Sequence, residues 1–173
     1  MRRRSRGQSL VEFAVLSPLL LLLAMGMLDL GRAFYFEVVG TDAARDAARY
    51  ASGYAPVVWP PAGPGQSAIC DMAKADLGDH VTSVSCVYTT TMPAAGRPYY
   101  GSTYSTGLTP GQAVVVIACP AGTNNCSGAS GATVNQNVAV TVYYRFALLT
   151  PGMSWLFGNA LTFQNFAVMR SLW

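Results

Sequence analysis

The sequence predicts an α+β protein: a long N-terminal helix, half membrane-apolar and half amphipathic, packed on a small antiparallel β-sheet of about four strands. Three observations carry this. A charge-free run extends from Phe13 to Leu28. A stripe of small residues continues the helical spacing after it, and four period-two segments follow without any crossover helix between them.

The apolar run comes first. Its sixteen residues make a helix of about 24 Å, and counted back to Gln8 the helix reaches about 30 Å, the thickness of a bilayer core. Four arginines, Arg2, Arg3, Arg4 and Arg6, precede it and place the N-terminus in the cytoplasm with the remainder outside. "AMGMLDLGRA" offers small residues but no A-x-A site where a secretory signal would be cut. A twin-arginine signal is opposed by Glu12, a carboxylate at the mouth of the apolar run.

The helical pattern does not stop at Leu28. Ala33, Phe36, Gly40, Ala43, Ala47 and Ala51 recur at spacings of three and four, a face that lets another backbone come close. Asp42, Arg45, Asp46 and Arg49 interleave as mutually supporting charges on the wet side. One helix is therefore expected from about Ser9 to Ser52, with Gly53 as its cap and Pro18, Gly26, Gly31 and Gly40 as places to bend. "GYAPVVWPPAGPGQ" reads as a linker, and "SAICDMAKADLGD" as a short helix with Ser67 as N-cap and Gly78 as stop. The strands are "VTSVSCVYTTT", "QAVVVIAC", "VNQNVAVTVYYRFAL" and "ALTFQNFAVMRSLW". Their sheet needs an apolar cover on one face, and the outer half of the long helix supplies it. The chain divides into a basic leader (1–7), the helix (8–52), a linker (53–66) and an extracytoplasmic α+β domain (67–173).

Composition narrows the function. Apolar residues make 51% of the chain and charged residues 11%, the reverse of a disordered segment. The net charge of +3 is a property of the leader: from Gln8 onward seven basic side chains face eight acidic ones, so no nucleic-acid surface is expected. His80 is the only histidine and no C-x-x-C occurs, so neither a Ser-His-Asp arrangement nor a zinc site is supported, and we expect no enzyme, no metal and no cofactor. His80 itself is expected in an exposed loop. The only lysine, Lys74, lies in no phosphate loop, and "NCS" at Asn125 is a chance-prone sequon. Arg145 and Arg170 interrupt apolar strands and are expected at an edge or facing solvent. The even cysteine count, Cys70, Cys86, Cys119 and Cys126, favours disulfides, with three connectivities open. Cys119 and Cys126 bracket a short turn-rich loop, which makes a local bridge easy and leaves Cys70 for Cys86.

The basic leader, Gly7, Glu12 with Phe13, the apolar helix and the exported β domain together resemble type IV pilin-like proteins with a class III signal. In that group a prepilin peptidase cuts on the cytoplasmic side, before the apolar helix. "GQSLVEF" then puts Glu12 at the fifth mature position, where those proteins keep a glutamate, and the cut falls between Gly7 and Gln8. The stretch "GQSLVEFAVLSPLLLLLAMGMLDLGRAFYFEVVGTDAARDAARYAS" resembles more narrowly the TadE-like family, pseudopilins of the tight-adherence (Tad) pilus and secretion system. The close, "VAVTVYYRFALLTP…LTFQNFAVMR", is similar in style.

The resemblance implies a minor pilin of the inner membrane, single-pass, needed for pilus assembly and surface adherence and able to reach the pilus itself. Its partners would be the peptidase, other Tad pilins and assembly-platform proteins. Glycine before a cut fits a narrow protease groove. A carboxylate at a membrane edge is costly unless paired, and the ammonium that cleavage creates on Gln8 of a neighbouring subunit would neutralise Glu12. A type II secretion pseudopilin is a variant of this reading. A signal-anchored periplasmic binding domain that never enters a filament is the alternative, and it would keep its arginines. A periplasmic enzyme comes third.

Overall fold

The structure, a computed structural model, describes residues 5–53, 64–89, 104–118, 137–150, 158 and 160–170. Helix α1 runs unbroken from Ser5 to Gly53, passing through Pro18. Pro18 removes one backbone donor, and beside it the Ser17 hydroxyl donates to the Ala14 carbonyl at 3.3 Å. The expected helix is therefore present and longer by a turn at its start. Helix α2 spans Pro64–Leu77, beginning three residues before the expected cap at Ser67. Proline suits a first helical position, since its missing donor would have no partner there. The helix ends where predicted: Gly78 takes a left-handed φ of 53° and opens a 3-10 turn, Gly78–His80. The intervening residues 54–63 of the expected linker lie outside the described part.

Four strands follow: β1 (Ser83–Thr89), β2 (Gln112–Ala118), β3 (Asn137–Ala147) and β4 (Ala160–Arg170), in that order across one sheet. The α+β class and the helix packed on a four-stranded sheet stand as predicted. The sheet is mixed, however, not antiparallel. β2–β3 and β3–β4 are antiparallel, but β1 pairs with β2 in parallel, Ser83 opposite Gln112 and Thr89 opposite Ala118. A parallel pair needs a connection of about a dozen residues or more. The connection, residues 90–111, has twenty-two, and of these the structure describes 104–111.

One face of the sheet packs on the helices. Val115, Ile117, Val138, Val140, Val142, Tyr144 and Phe146 meet Ala43, Ala44, Ala47, Ala48 and Ala51 of α1, with Ile69, Ala73 and Leu77 of α2. The small-residue stripe thus serves the protein's own sheet and α2. Phe36 opens this core by stacking on Tyr144 (centroids 4.6 Å apart, planes at 18°) and meeting Phe146 edge-on at 5.5 Å. At Gly40 the helix comes closest to β4: a Cβ there would overlap the amide nitrogen of Asn165. Thr41 donates its hydroxyl hydrogen to Asn165 Oδ1 at 3.3 Å beside it. On the other sheet face Leu108, Val114, Val116 and Tyr143 form a smaller cluster.

Arg145 departs from expectation. β3 is a central strand, so Arg145 sits half-buried, with its guanidinium donating to the Leu108 carbonyl. Arg170, on edge strand β4, is exposed as predicted.

Candidate functional site

The residues singled out at the N-terminus share one feature: all of them stand open on the helix surface. Gly7, Gln8, Glu12 and Phe13 are all exposed. A Cβ at Gly7 would meet nothing within 4 Å, so the fold itself makes no demand for glycine there. Gln8 and Glu12 stand one turn apart, and the Gln8 side-chain amide reaches Glu12 Oε1 at 3.5 Å. From Leu10 to Leu23 the large apolar side chains are likewise bare. The helix is long and apolar enough to cross a membrane, and none of its most apolar stretch is covered by the rest of the molecule.

The helix is joined to the head at Asp29. Asp29 is only 3% exposed. Its carboxylate accepts from the Leu149 amide (3.2 Å at Oδ1, 3.0 Å at Oδ2), the Thr150 amide (2.8 Å) and the Thr150 hydroxyl (2.6 Å). Arg32, one turn on, adds an ion pair at 3.4 Å and lays its guanidinium over the Phe146 ring, 5.1 Å from the centroid. A buried carboxylate is stable only when paired and hydrogen-bonded, and here each of its oxygens accepts at least two donors. The available signal was phase: Asp29 lies four residues before Ala33 and seven before Phe36, on the inward side of the helix.

Around the head the remaining candidates separate. Cys70 of α2 and Cys86 of β1 form a disulfide, as expected, with Cα atoms 6.1 Å apart. Cys119 and Cys126, with the local bridge proposed for them, lie outside the described residues, as does Asn125. His80 is exposed, its Nε2 3.0 Å from the Tyr35 hydroxyl and its ring edge-on to Tyr35 and Phe36. Asp42, Arg45, Asp46 and Arg49 are exposed, but among the described residues no ion pair joins them. Asp42 and Asp46 instead lie toward Asp76 of α2. Burial, then Asp46 and Asp42, push the Asp76 carboxyl above its ordinary 3.8, and its Oδ2 is buried without a hydrogen-bond partner among the described residues.

Among the described residues no three His, Cys, Asp or Glu side chains are placed to hold a metal ion. Burial, with Tyr104 adding to it, pushes the Tyr143 phenol up to about 12, so it stays protonated and accepts a hydrogen bond from Gln164 at 3.1 Å. The built feature is thus the helix itself, free at one end and locked to the head at the other. Comparison with known proteins agrees on that part of the chain. No curated protein and no solved structure matches the sequence. Residues 7–49 match the family model described as TadE-like protein, and so the chain carries a TadE-like segment that covers nearly all of α1.

Proposed function

We propose that this protein is a minor pilin, or pseudopilin, of a Tad-type pilus or secretion system. Residues 1–7 are a leader removed on the cytoplasmic side by a prepilin peptidase. Residues 8–52 anchor the chain in the inner membrane, N-terminus inward. Residues 67–173, after the 53–66 connector, lie outside and join other Tad pilins and the assembly platform in building an adherent pilus. The observation that carries this reading is the TadE-like match, which begins at Gly7 and runs along a helix whose apolar half is bare. The open space around Gly7 supports it too, because a demand for glycine that the fold does not make is one that a protease groove does. Glu12 is then the assembly charge, paired with the new ammonium of Gln8 on a neighbouring subunit. An unpaired carboxylate at that depth costs about 2–3 kcal/mol.

The test is the mass of the mature N-terminus together with pilus fractionation. The parent should begin at Gln8, Gly7→Val should remain uncut, and Glu12→Ala should be cut but stay in the membrane fraction. A parent that keeps its arginines is the signal-anchored binding domain instead. One that begins beyond Leu28 is no pilin at all.

A further inference from the structure

We infer that the base of the head is itself a lipid-binding surface, a collar seated in the outer leaflet around the point where α1 leaves the bilayer. The inference rests on the membrane-anchor reading of α1 and adds where the membrane ends.

Between Glu12 and Glu37 the only charged side chains are Asp29 and Arg32. Asp29 is buried and neutralised by its four donors, while Arg32, its side chain 41% exposed, is paired with Asp29 and lies over the Phe146 ring. Asp29 therefore marks no water boundary, and the paired Arg32 guanidinium suits the headgroup level. The exposed apolar surface continues past them without a break, through Leu30, Phe34 (63% exposed) and Val38 on the side away from the sheet. From Glu12 to Glu37 the helix rises about 37 Å, more than the ~30 Å hydrocarbon core and close to the ~40–45 Å that includes the headgroups.

The head contributes at the same level. Leu149, whose amide is held on Asp29, leaves 65% of its surface bare. Tyr35, with its hydroxyl on His80, stands two turns above Asp29, where aromatic residues with one wet end favour the interface. Charge resumes beyond it with the half-buried Glu37 and then the exposed Asp42, Arg45 and Asp46. The bilayer surface consequently lies between Asp29 and Asp42, and Leu149 and Phe34 lie below it.

Spin labels read by power-saturation EPR test this. The full chain, with Cys119→Ser and Cys126→Ser and the Cys70–Cys86 bridge retained, is placed in phosphatidylethanolamine–phosphatidylglycerol vesicles. Labels are attached at Leu20→Cys, Phe34→Cys, Leu149→Cys or Asp42→Cys, all exposed positions that the fold does not need. Labels at 34 and 149 should collide with oxygen in preference to an aqueous nickel chelate and report depths of about 5–10 Å, with 20 deeper and 42 in water. Aqueous readings at 34 and 149 while 20 stays deep would overturn the collar and leave the anchor standing. An aqueous reading at 20 as well would remove the anchor and the collar together. Protection from both oxygen and nickel would mean that protein covers the surface, and the lipid assignment would fall.

Discussion

Asp29 shows how one side chain can join two environments. It lies where an apolar helix meets a folded head, and its carboxylate satisfies two backbone amides that have just left β3. Replacing it with alanine orphans both donors, and each buried orphan costs about 1–3 kcal/mol. Asp29→Ala should therefore lower head stability in detergent micelles by about 2–4 kcal/mol, and amide exchange at Leu149 and Thr150 should accelerate. Asp29→Asn keeps an acceptor and should lose less. Unchanged exchange at those two amides would show that the latch holds nothing. Asp76 makes the opposite case. Its carboxyl is raised above 3.8 by burial and then by Asp46 and Asp42, so the folded chain holds a proton that the unfolded chain has released. The contribution of Asp76 to stability is then fully present below about pH 3.8 and is lost as pH rises through the raised value, leaving a penalty from this group at neutral pH. Asp76→Asn should melt higher than the parent at pH 7, with the gap closing toward pH 3. Parallel melting curves across that range would contradict the sign.

Among the elements, the close approach of α1 to β4 is set by Gly40, where Asn165 occupies the space of a side chain. Alanine in place of a helix-interior glycine ordinarily gains about 1 kcal/mol. Gly31→Ala, with nothing within 4 Å, should show that gain. Gly40→Ala should instead destabilise, and pairing it with Asn165→Ala should recover the difference. Additive effects in this cycle would mean that the helix and strand do not touch as described. The elements were legible in unequal measure. The long helix announced itself by period and by its small-residue stripe, the short one by the glycine at 78, and the Cys70–Cys86 disulfide only as the pair left over once Cys119 and Cys126 were assigned a local bridge. The β1–β2 direction was not legible. It depends on how residues 90–111 travel, and a connection without helical periodicity carries no sign of the direction in which it returns. Arg145 was misjudged for a related reason, since the position of β3 in the sheet follows from pairing and not from its own alternation.

For the whole molecule, the N-terminal candidates can be proposed from sequence because the chemistry proposed for them is local: a glycine and a carboxylate at fixed spacing beside an apolar run. Asp29 was not, because its partners stand 120 and 121 residues away in sequence. The same arrangement makes α1 both the anchor and a wall of the head, since Phe36 and Ala43 to Ala51 belong to the core that Val115, Ile117, Val140 and Phe146 complete. A fragment beginning after Gly53 would open those side chains to water, so the head has no independent soluble form that starts at the connector. Proteolysis between Ala43 and Ala51 would remove part of the core from whatever it released. The outer half of the helix must therefore travel with the head wherever the folded surface is presented.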